Sequence, residues 1–155
     1  MNIEIDLYNP HNLVIPEKSD FENWIALVLQ LQGESTCQIS INIATEDEIQ
    51  AINNTYRHKD KPTNILSFPF EAPPGLPKTQ MQHFVGDLII CPEILLKEAE
   101  TQKKPLQHHW CHITIHGILH LFGYDHIKED DAEIMENIEI KLLAQLNIDN
   151  PYVEK

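Results

Sequence analysis

Hydrophobic positions recur along the chain at two different periods, which predicts strands and helices in mixed order. Residues 3–7 and 39–43 place isoleucine or leucine at every second position, with polar or small residues between them. This alternation is typical of half-buried strands. Short apolar runs at about 65–68 and 86–90 predict two more strands. We therefore expect a mixed sheet of about four strands.

Helical spacing of apolar residues predicts about five helices between and after these strands. Capping boxes, prolines and acidic residues indicate starts at Ser19 (with Glu22), at Thr45 (with Glu48), at Pro92, after Pro105 and near Glu129. The first helix is expected to end at Gly33. The last is expected to bury Ile134, Ile138, Leu142 and Leu146. The sum is a single α+β domain over residues 1–155.

The charge of the chain narrows the classes of function. Among 155 residues, 11 are basic and 24 acidic, giving a formal net charge of −13. This balance argues against a broad basic surface that coats nucleic acid or binds a membrane. The cysteines, Cys37, Cys91 and Cys111, are far apart, which predicts buried reduced thiols and no cysteine zinc site. With no signal-like N-terminus and no long apolar run, we expect a cytoplasmic protein.

Six of the nine histidines lie between His108 and His126. His116 and His120 are four residues apart, so a helix presents both imidazoles on one face, one turn apart. Gly123 can end that helix in a left-handed conformation, after which the reversed chain can return His126 to the same ion. Three protein ligands leave one tetrahedral position open, which is the arrangement of a catalytic zinc site.

The neighbouring histidines leave alternatives open. His112 lies four residues before His116 and shares its face, so it either competes as a ligand or serves as a polar packing residue. His108 and His109 are expected to belong to a solvated face. Met135, the candidate for a methionine turn, fits the apolar face of the last helix and is expected in the core.

The histidine spacing matches the zinc-protease pattern H-E-x-x-H-x-x-G-x-x-H except at one place. Gly117 stands where a protease has its glutamate base, so peptide hydrolysis by that route is disfavoured. The densest basic run, residues 57–61, contains Arg57, which could hold a phosphate through two parallel hydrogen bonds. From charge alone, a solvated turn remains the alternative.

Three segments resemble the YbeY-type endoribonucleases, the bacterial rRNA maturation factors. HGILHLFGYDH at 116–126 fits the family pattern HG-x-LHL-x-GYDH at every fixed position. YRHKDKPTNILSFPF at 56–70 is similar to a second family motif, and Gly86 with Asp87 to a third. One departure is Asn64, which stands where the family usually has aspartate and removes a candidate acid or base.

The resemblance implies a zinc-dependent, single-strand-specific endoribonuclease in 16S rRNA 3′-end maturation and ribosome quality control. It implies one Zn²⁺ ion on His116, His120 and His126, and Arg57 as the basic residue needed for activity. The implied partners are single-stranded rRNA and the small ribosomal subunit with its proteins or assembly factors. No membrane partner is implied, and the oligomeric state stays open.

Two other functions remain as alternatives to an endoribonuclease. One is a metallohydrolase whose metal ligands are arranged as in a zinc protease and which acts on a peptide or a small molecule. The other is a metal-stabilised ribosome-assembly or binding protein with little catalysis of its own. Asp125, beside His126, either orients a ligand or stabilises the turn. Because the chain is acidic, its intrinsic RNA affinity is expected to be weak, with few phosphate contacts.

Overall fold

The computed structural model describes residues 1–71, 83–125 and 128–153. Within these residues, four strands and five helices follow one another. The strands are β1 (Asn2–Tyr8), β2 (Thr36–Ile43), β3 (Ile65–Pro69) and β4 (Phe84–Ile90). The helices are α1 (Lys18–Gln32), α2 (Glu46–Arg57), α3 (Pro92–Gln102), α4 (Leu106–Leu121) and α5 (Glu129–Ala144). The predicted α+β class and the numbers of elements are confirmed.

The four strands form one mixed sheet in the order β1-β2-β4-β3. Strands β1, β2 and β4 are parallel, and β3 runs antiparallel to β4 at the edge. The register shifts at Gly86, because Gln38 pairs with Phe84 whereas Ile39 pairs with Gly86. Gly86 has φ +142°, and an added Cβ there would collide with the carbonyl oxygen of Phe68. A bulge and a close backbone approach thus require glycine at this position.

Helix α4 is the central element of the core. It contacts α1, α3, α5 and the strands β3 and β4. A helix enclosed on most sides is expected to be apolar nearly all round, and α4 buries residues on every turn. Gly117 lets α4 approach the sheet closely, since a Cβ there would lie 2.5 Å from Ile65 Cδ1 and 3.0 Å from Leu88 Cδ2.

The predicted ends of the first two helices are only partly right. Gly33 ends α1 with φ +71°, as expected. The start of α1 lies two residues earlier than predicted, because the backbone N–H of Glu17 donates to the Asp20 carboxylate at 3.1 Å. Ser19 therefore sits inside the first turn. The box at Thr45 is confirmed, with Glu48 N–H donating to Thr45 Oγ1 at 3.3 Å.

The buried face of α5 differs from the predicted one. Met135 is buried as expected, but Ile134 is 54% exposed and Leu146 is 37% exposed. Leu142 is buried as predicted and Ile138 is partly buried, and α5 also buries Glu139 and Leu143. The helix is rotated about its axis relative to the prediction because Glu139 docks against histidines of α4.

Two further findings concern the thiols and the membrane. Cys37, Cys91 and Cys111 are free and buried, as predicted. Burial raises the pKa of the Cys37 thiol to about 11 and that of Cys111 to about 12, which keeps both protonated. None of the helices in the described part of the chain combines the length and apolar content needed to cross a membrane. The sequence also predicts a proline-rich loop from Glu71 to residue 82, of which residues 72–82 lie outside the described residues.

Candidate metal and active site

His116 and His120 lie on successive turns at the end of α4, and the structure brings their rings together. Their Nε2 atoms are 3.2 Å apart, and the ring planes meet at 80°. Two nitrogens bound at about 2.0–2.1 Å to one tetrahedral ion would be separated by about 3.3 Å. The two predicted ligands therefore have the spacing that a shared zinc ion requires.

The chain turns back after these histidines, as the sequence predicts. Helix α4 ends at Leu121, and Gly123 follows with φ +99°. The backbone N–H of Tyr124 then donates to Leu119 O at 3.1 Å. His126 itself lies outside the described residues, and Asp125 is exposed at the end of the described segment. Within the described ranges, no group of three or more metal-ligating side chains converges, so His126 stays a prediction as the third ligand.

A buried carboxylate stands behind the two histidines. Glu139 on α5 is 0% exposed, and its Oε2 lies 3.2 Å from His116 Nδ1. Its Oε1 lies 2.8 Å from His112 Nε2 and 2.9 Å from the Tyr152 hydroxyl. Burial alone would raise the pKa of Glu139, but the hydrogen bonds from His112 and His116 outweigh burial and lower the pKa to about 2. Glu139 is therefore an ionised acceptor for three donors.

His112 contacts this carboxylate, which favours the packing interpretation over the ligand interpretation. Burial lowers the pKa of His112, although its hydrogen bond to Glu139 acts in the opposite direction. The neutral ring donates Nε2–H to Glu139, and its buried Nδ1 has no hydrogen-bond partner among the residues that the structure describes. Burial, together with the charge of Glu139, raises the pKa of Tyr152, so this hydroxyl stays protonated and donates.

The expectation for His109 is wrong. His109 was expected on a solvated face with His108, but it is 2% exposed. Its Nε2 lies 2.9 Å from Glu98 Oε1, and Glu98 also accepts from Asn64 Nδ2 at 3.2 Å. His108 is half-buried. Helix α3 covers the side of α4 that sequence reasoning left to solvent. Asn64 is thus a hydrogen-bonding residue at the start of β3.

Sequence reasoning missed Glu139 and Tyr152. The signal for Glu139 was its position, four residues after Met135 and three before Leu142, on a stripe that is otherwise apolar. A carboxylate on a buried stripe needs donors from a neighbouring element, and the histidines of α4 are such donors. For Tyr152 the chain carries no comparable periodic signal, because the contact depends on the path of the C-terminal segment.

The absence of a side chain at Gly117 has a steric cause. A Cβ at this position would lie 2.5 Å from Ile65 Cδ1, 3.0 Å from Leu88 Cδ2 and 3.3 Å from Ser67 Oγ. Position 117 faces the sheet, so a glutamate there would meet packed side chains before it reached the histidines. The steric fit agrees with the sequence argument against a protease base.

Arg57 is the last residue of α2 and lies beside the edge strand β3. Its Nη2 donates to Ser67 O at 3.0 Å, and its guanidinium carbon lies 5.8 Å from the centre of the Phe68 ring. Ser67 Oγ in turn donates to Gly117 O at 3.2 Å. One strand therefore separates Arg57 from the helix turn that carries His116.

The basic turn after Arg57 is tied to α2. His58 has φ 57° and ends the helix. Asn53 Nδ2 donates to Lys61 O at 2.9 Å, and Gln50 Nε2 donates to Asp60 Oδ1 at 3.0 Å. These bonds limit the backbone conformations of the turn.

Comparison with known proteins identifies the family. The family model described as endoribonuclease YbeY matches residues 8–147. Proteins named endoribonuclease YbeY from Francisella philomiragia and from Francisella tularensis subsp. novicida are each 49% identical over 99% of this chain, covering 98% and 95% of those proteins. The solution structure of a Thermotoga maritima protein superposes with a TM-score of 0.57 at 22% identity, covering 94% of this chain and 91% of that one.

The similarity to the solved structure supports the fold, whereas the similarity in sequence supports the family assignment. A family match over most of the length, together with near-half identity across nearly whole chains, covers all three segments whose motifs were singled out above. The chain belongs to the endoribonuclease YbeY family of hydrolases.

Proposed function

We propose that this protein is a zinc-dependent endoribonuclease that cleaves single-stranded RNA, with His116, His120 and His126 holding one Zn²⁺ ion. The observation that carries the proposal is the 3.2 Å separation of the His116 and His120 Nε2 atoms. The Glu139 contact on His116 Nδ1 agrees with it, because a proton on Nδ1 places the lone pair of the ring on Nε2, the atom that would bind a metal.

The histidine ligands and Arg57 have different roles in the proposed reaction. A bound zinc ion would supply a Lewis acid for a phosphoryl oxygen and a source of hydroxide near neutral pH. Three histidine ligands leave one position open for this chemistry. Arg57 would bind a non-reacting phosphoryl oxygen and balance the charge that builds up during cleavage. Ser67 O orients the Arg57 guanidinium by accepting its Nη2 hydrogen bond.

The choice of RNA over a peptide rests on position 117 and on the family. The packed surroundings of Gly117 leave no room for the glutamate that the usual protease route needs. The relatives of nearly half identity are named endoribonucleases. The family resemblance further supports a role in 16S rRNA 3′-end maturation and ribosome quality control in the cytoplasm.

The charge of the chain supports a dependence on ribosomal partners. With a net charge of −13, the protein offers few basic side chains to the phosphates. Arg57, Lys59 and Lys61 concentrate three of the eleven basic residues on one turn. We propose that the small ribosomal subunit, with its proteins or assembly factors, presents single-stranded rRNA to this site.

The proposed function is tested by comparing substrates on one preparation. Zinc-loaded full-length protein is expected to cleave single-stranded RNA, to leave the matched duplex intact and to leave casein uncut. Chelation is expected to abolish cleavage, and added zinc to restore it. RNA left intact while casein is cut would favour the metallohydrolase alternative. RNA bound but never cleaved, with zinc present, would favour the assembly-protein alternative.

Replacing Arg57 with alanine is expected to lower the rate of RNA cleavage about 100-fold, because a charge-assisted contact to the reacting phosphate is lost. Arg57→Lys should recover part of the rate, since it keeps the charge but not the planar pair of donors. The control is Lys18→Ala, which removes an exposed lysine from the first turn of α1, away from the basic turn, with an expected change below about threefold. Unchanged cleavage by Arg57→Ala, with unchanged thermal stability, would remove Arg57 from the active site.

A further inference from the structure

The buried carboxylate behind the histidines has a role that the family motifs do not describe. We propose that Glu139 is a positioning residue for the metal site. It holds His116 with Nδ1–H directed at the carboxylate, so that Nε2 faces Nε2 of His120. His112 and Tyr152 hold Glu139 in turn. This inference rests on the proposed function for the identity of the ion, but its geometry does not depend on the ion.

Hydrogen-bond accounting supports the assignment. Glu139 is 0% exposed, so each of its oxygens needs donors from the protein. Oε2 accepts from His116 Nδ1 at 3.2 Å, and Oε1 accepts from His112 Nε2 at 2.8 Å and from Tyr152 at 2.9 Å. A carboxylate accepts only, so each of these three groups must present its hydrogen to Glu139. The tautomer of His116 is thereby set, with the lone pair on Nε2.

The same network reaches the C-terminal segment. The Tyr152 ring meets the His112 ring edge-on, with centres 5.5 Å apart, and the Tyr152 backbone N–H donates to Asn150 Oδ1 at 2.8 Å. The segment after α5 therefore returns to α4 and supplies one of the three donors to Glu139. Loss of the Tyr152 hydroxyl would loosen the carboxylate without removing it.

Helix α4 contains a matched pair for comparison. His109 Nε2 lies 2.9 Å from Glu98 Oε1, so the pair has the same chemistry two helical turns before His116. Glu98 also binds Asn64. The two pairs share a helix and a residue type, but only Glu139 contacts a predicted metal ligand. Glu98→Gln is therefore the control for removing a histidine-bound carboxylate.

The test measures zinc affinity of the full-length protein by competition with a chromogenic chelator. Glu139→Ala is expected to weaken zinc binding about 100-fold and Glu139→Gln about 10-fold, because outer hydrogen bonds to a ligating histidine contribute affinities of this order. Tyr152→Phe is expected to weaken binding about threefold. Glu98→Gln should leave the affinity within about twofold of the wild type.

A second readout needs no metal. Long-range ¹H–¹⁵N NMR of the metal-free protein is expected to show His116 as the neutral Nδ1–H tautomer. Glu139→Gln should keep that tautomer, because its carbonyl oxygen still accepts the hydrogen bond, whereas Glu139→Ala should lose it. Rescue by the conservative variant separates positioning from a purely structural role. If Glu139→Ala does not fold, the isosteric Glu139→Gln and Tyr152→Phe decide the question.

The failures of the two proposals are distinguishable. Wild-type protein that shows the Nδ1–H tautomer but binds no zinc would overturn the proposed function and leave the positioning of His116 by Glu139 standing. Zinc bound equally well by Glu139→Ala and by Glu98→Gln would overturn this inference alone. A wild-type His116 in the Nε2–H form would also overturn it.

Discussion

Replacing either His116 or His120 with alanine is expected to abolish zinc retention and to lower RNA cleavage by at least about 100-fold. Each change removes one of three expected ligands. The two remaining ligands are expected to lose the zinc ion to competing ligands in the buffer. The Nε2 atoms of both rings face each other at 3.2 Å, so neither replacement can be compensated by the other ring. The measurements are zinc content per chain after gel filtration and the cleavage rate of a single-stranded RNA.

The controls for this result come from the same helix. His108→Ala, in the first turn of α4, is expected to keep both zinc and activity. His112→Ala is expected to keep zinc with weaker affinity, because His112 binds Glu139. His126→Ala should behave like His116→Ala if His126 is the third ligand. Zinc lost from His112→Ala but retained by His126→Ala would show that His112 is the third ligand instead.

Replacing Gly86 with alanine is expected to destabilise the fold by at least about 3 kcal/mol. Its φ of +142° is a conformation that residues with a Cβ rarely adopt. The added Cβ would also collide with the carbonyl oxygen of Phe68 and lie 3.0 Å from Pro69 Cα, and backbone atoms of a paired strand cannot move aside cheaply. For a chain of this size, the loss corresponds to a fall in Tm of about 6–12 °C.

Gly33→Ala is the matched control for this prediction. Gly33 also has a positive φ, +71°, but no atom of the described residues lies within 4 Å of an added Cβ. Only backbone strain applies there, so the expected loss is about 1 kcal/mol. Thermal or urea unfolding of both variants isolates the steric part as the difference between them. Equal losses of stability in the two variants would mean that β3 and β4 can move apart at Gly86 without an energetic cost. The close contact at Gly86 would then contribute nothing to the destabilisation.

Local sequence signals predicted most of the fold because the relevant interactions are local. The Thr45–Glu48 box, the positive φ at Gly33 and the start of α5 at Glu129 all depend on neighbours within a few residues. The start of α1 was displaced because Glu17 and Asp20 compete with Ser19 and Glu22 for the same N-terminal turn. Such competition between adjacent capping residues cannot be settled from spacing alone.

The candidate site was predicted to the extent that it lies on one helix. His116 and His120 are four residues apart, and helical geometry alone brings them together. Glu139 was missed because its role depends on which face of α5 packs against α4. The apolar residues of α5 are compatible with two different buried faces. His109 was misassigned for the same reason, since only the packing of α3 shows that its side of α4 is buried.

By itself, the sequence determined the α+β class, the order of the elements, the helical histidine pair and the family. These follow from periodicity, from caps and from short motifs, all of which are interactions between residues near in the chain. Only the tertiary structure decided which faces of the helices and strands pack against one another. The carboxylate of Glu139 reaches His116 across 23 residues, and Ser67 reaches Gly117 across 50. Contacts at such separations depend on how helices and strands pack in three dimensions, which no local pattern records.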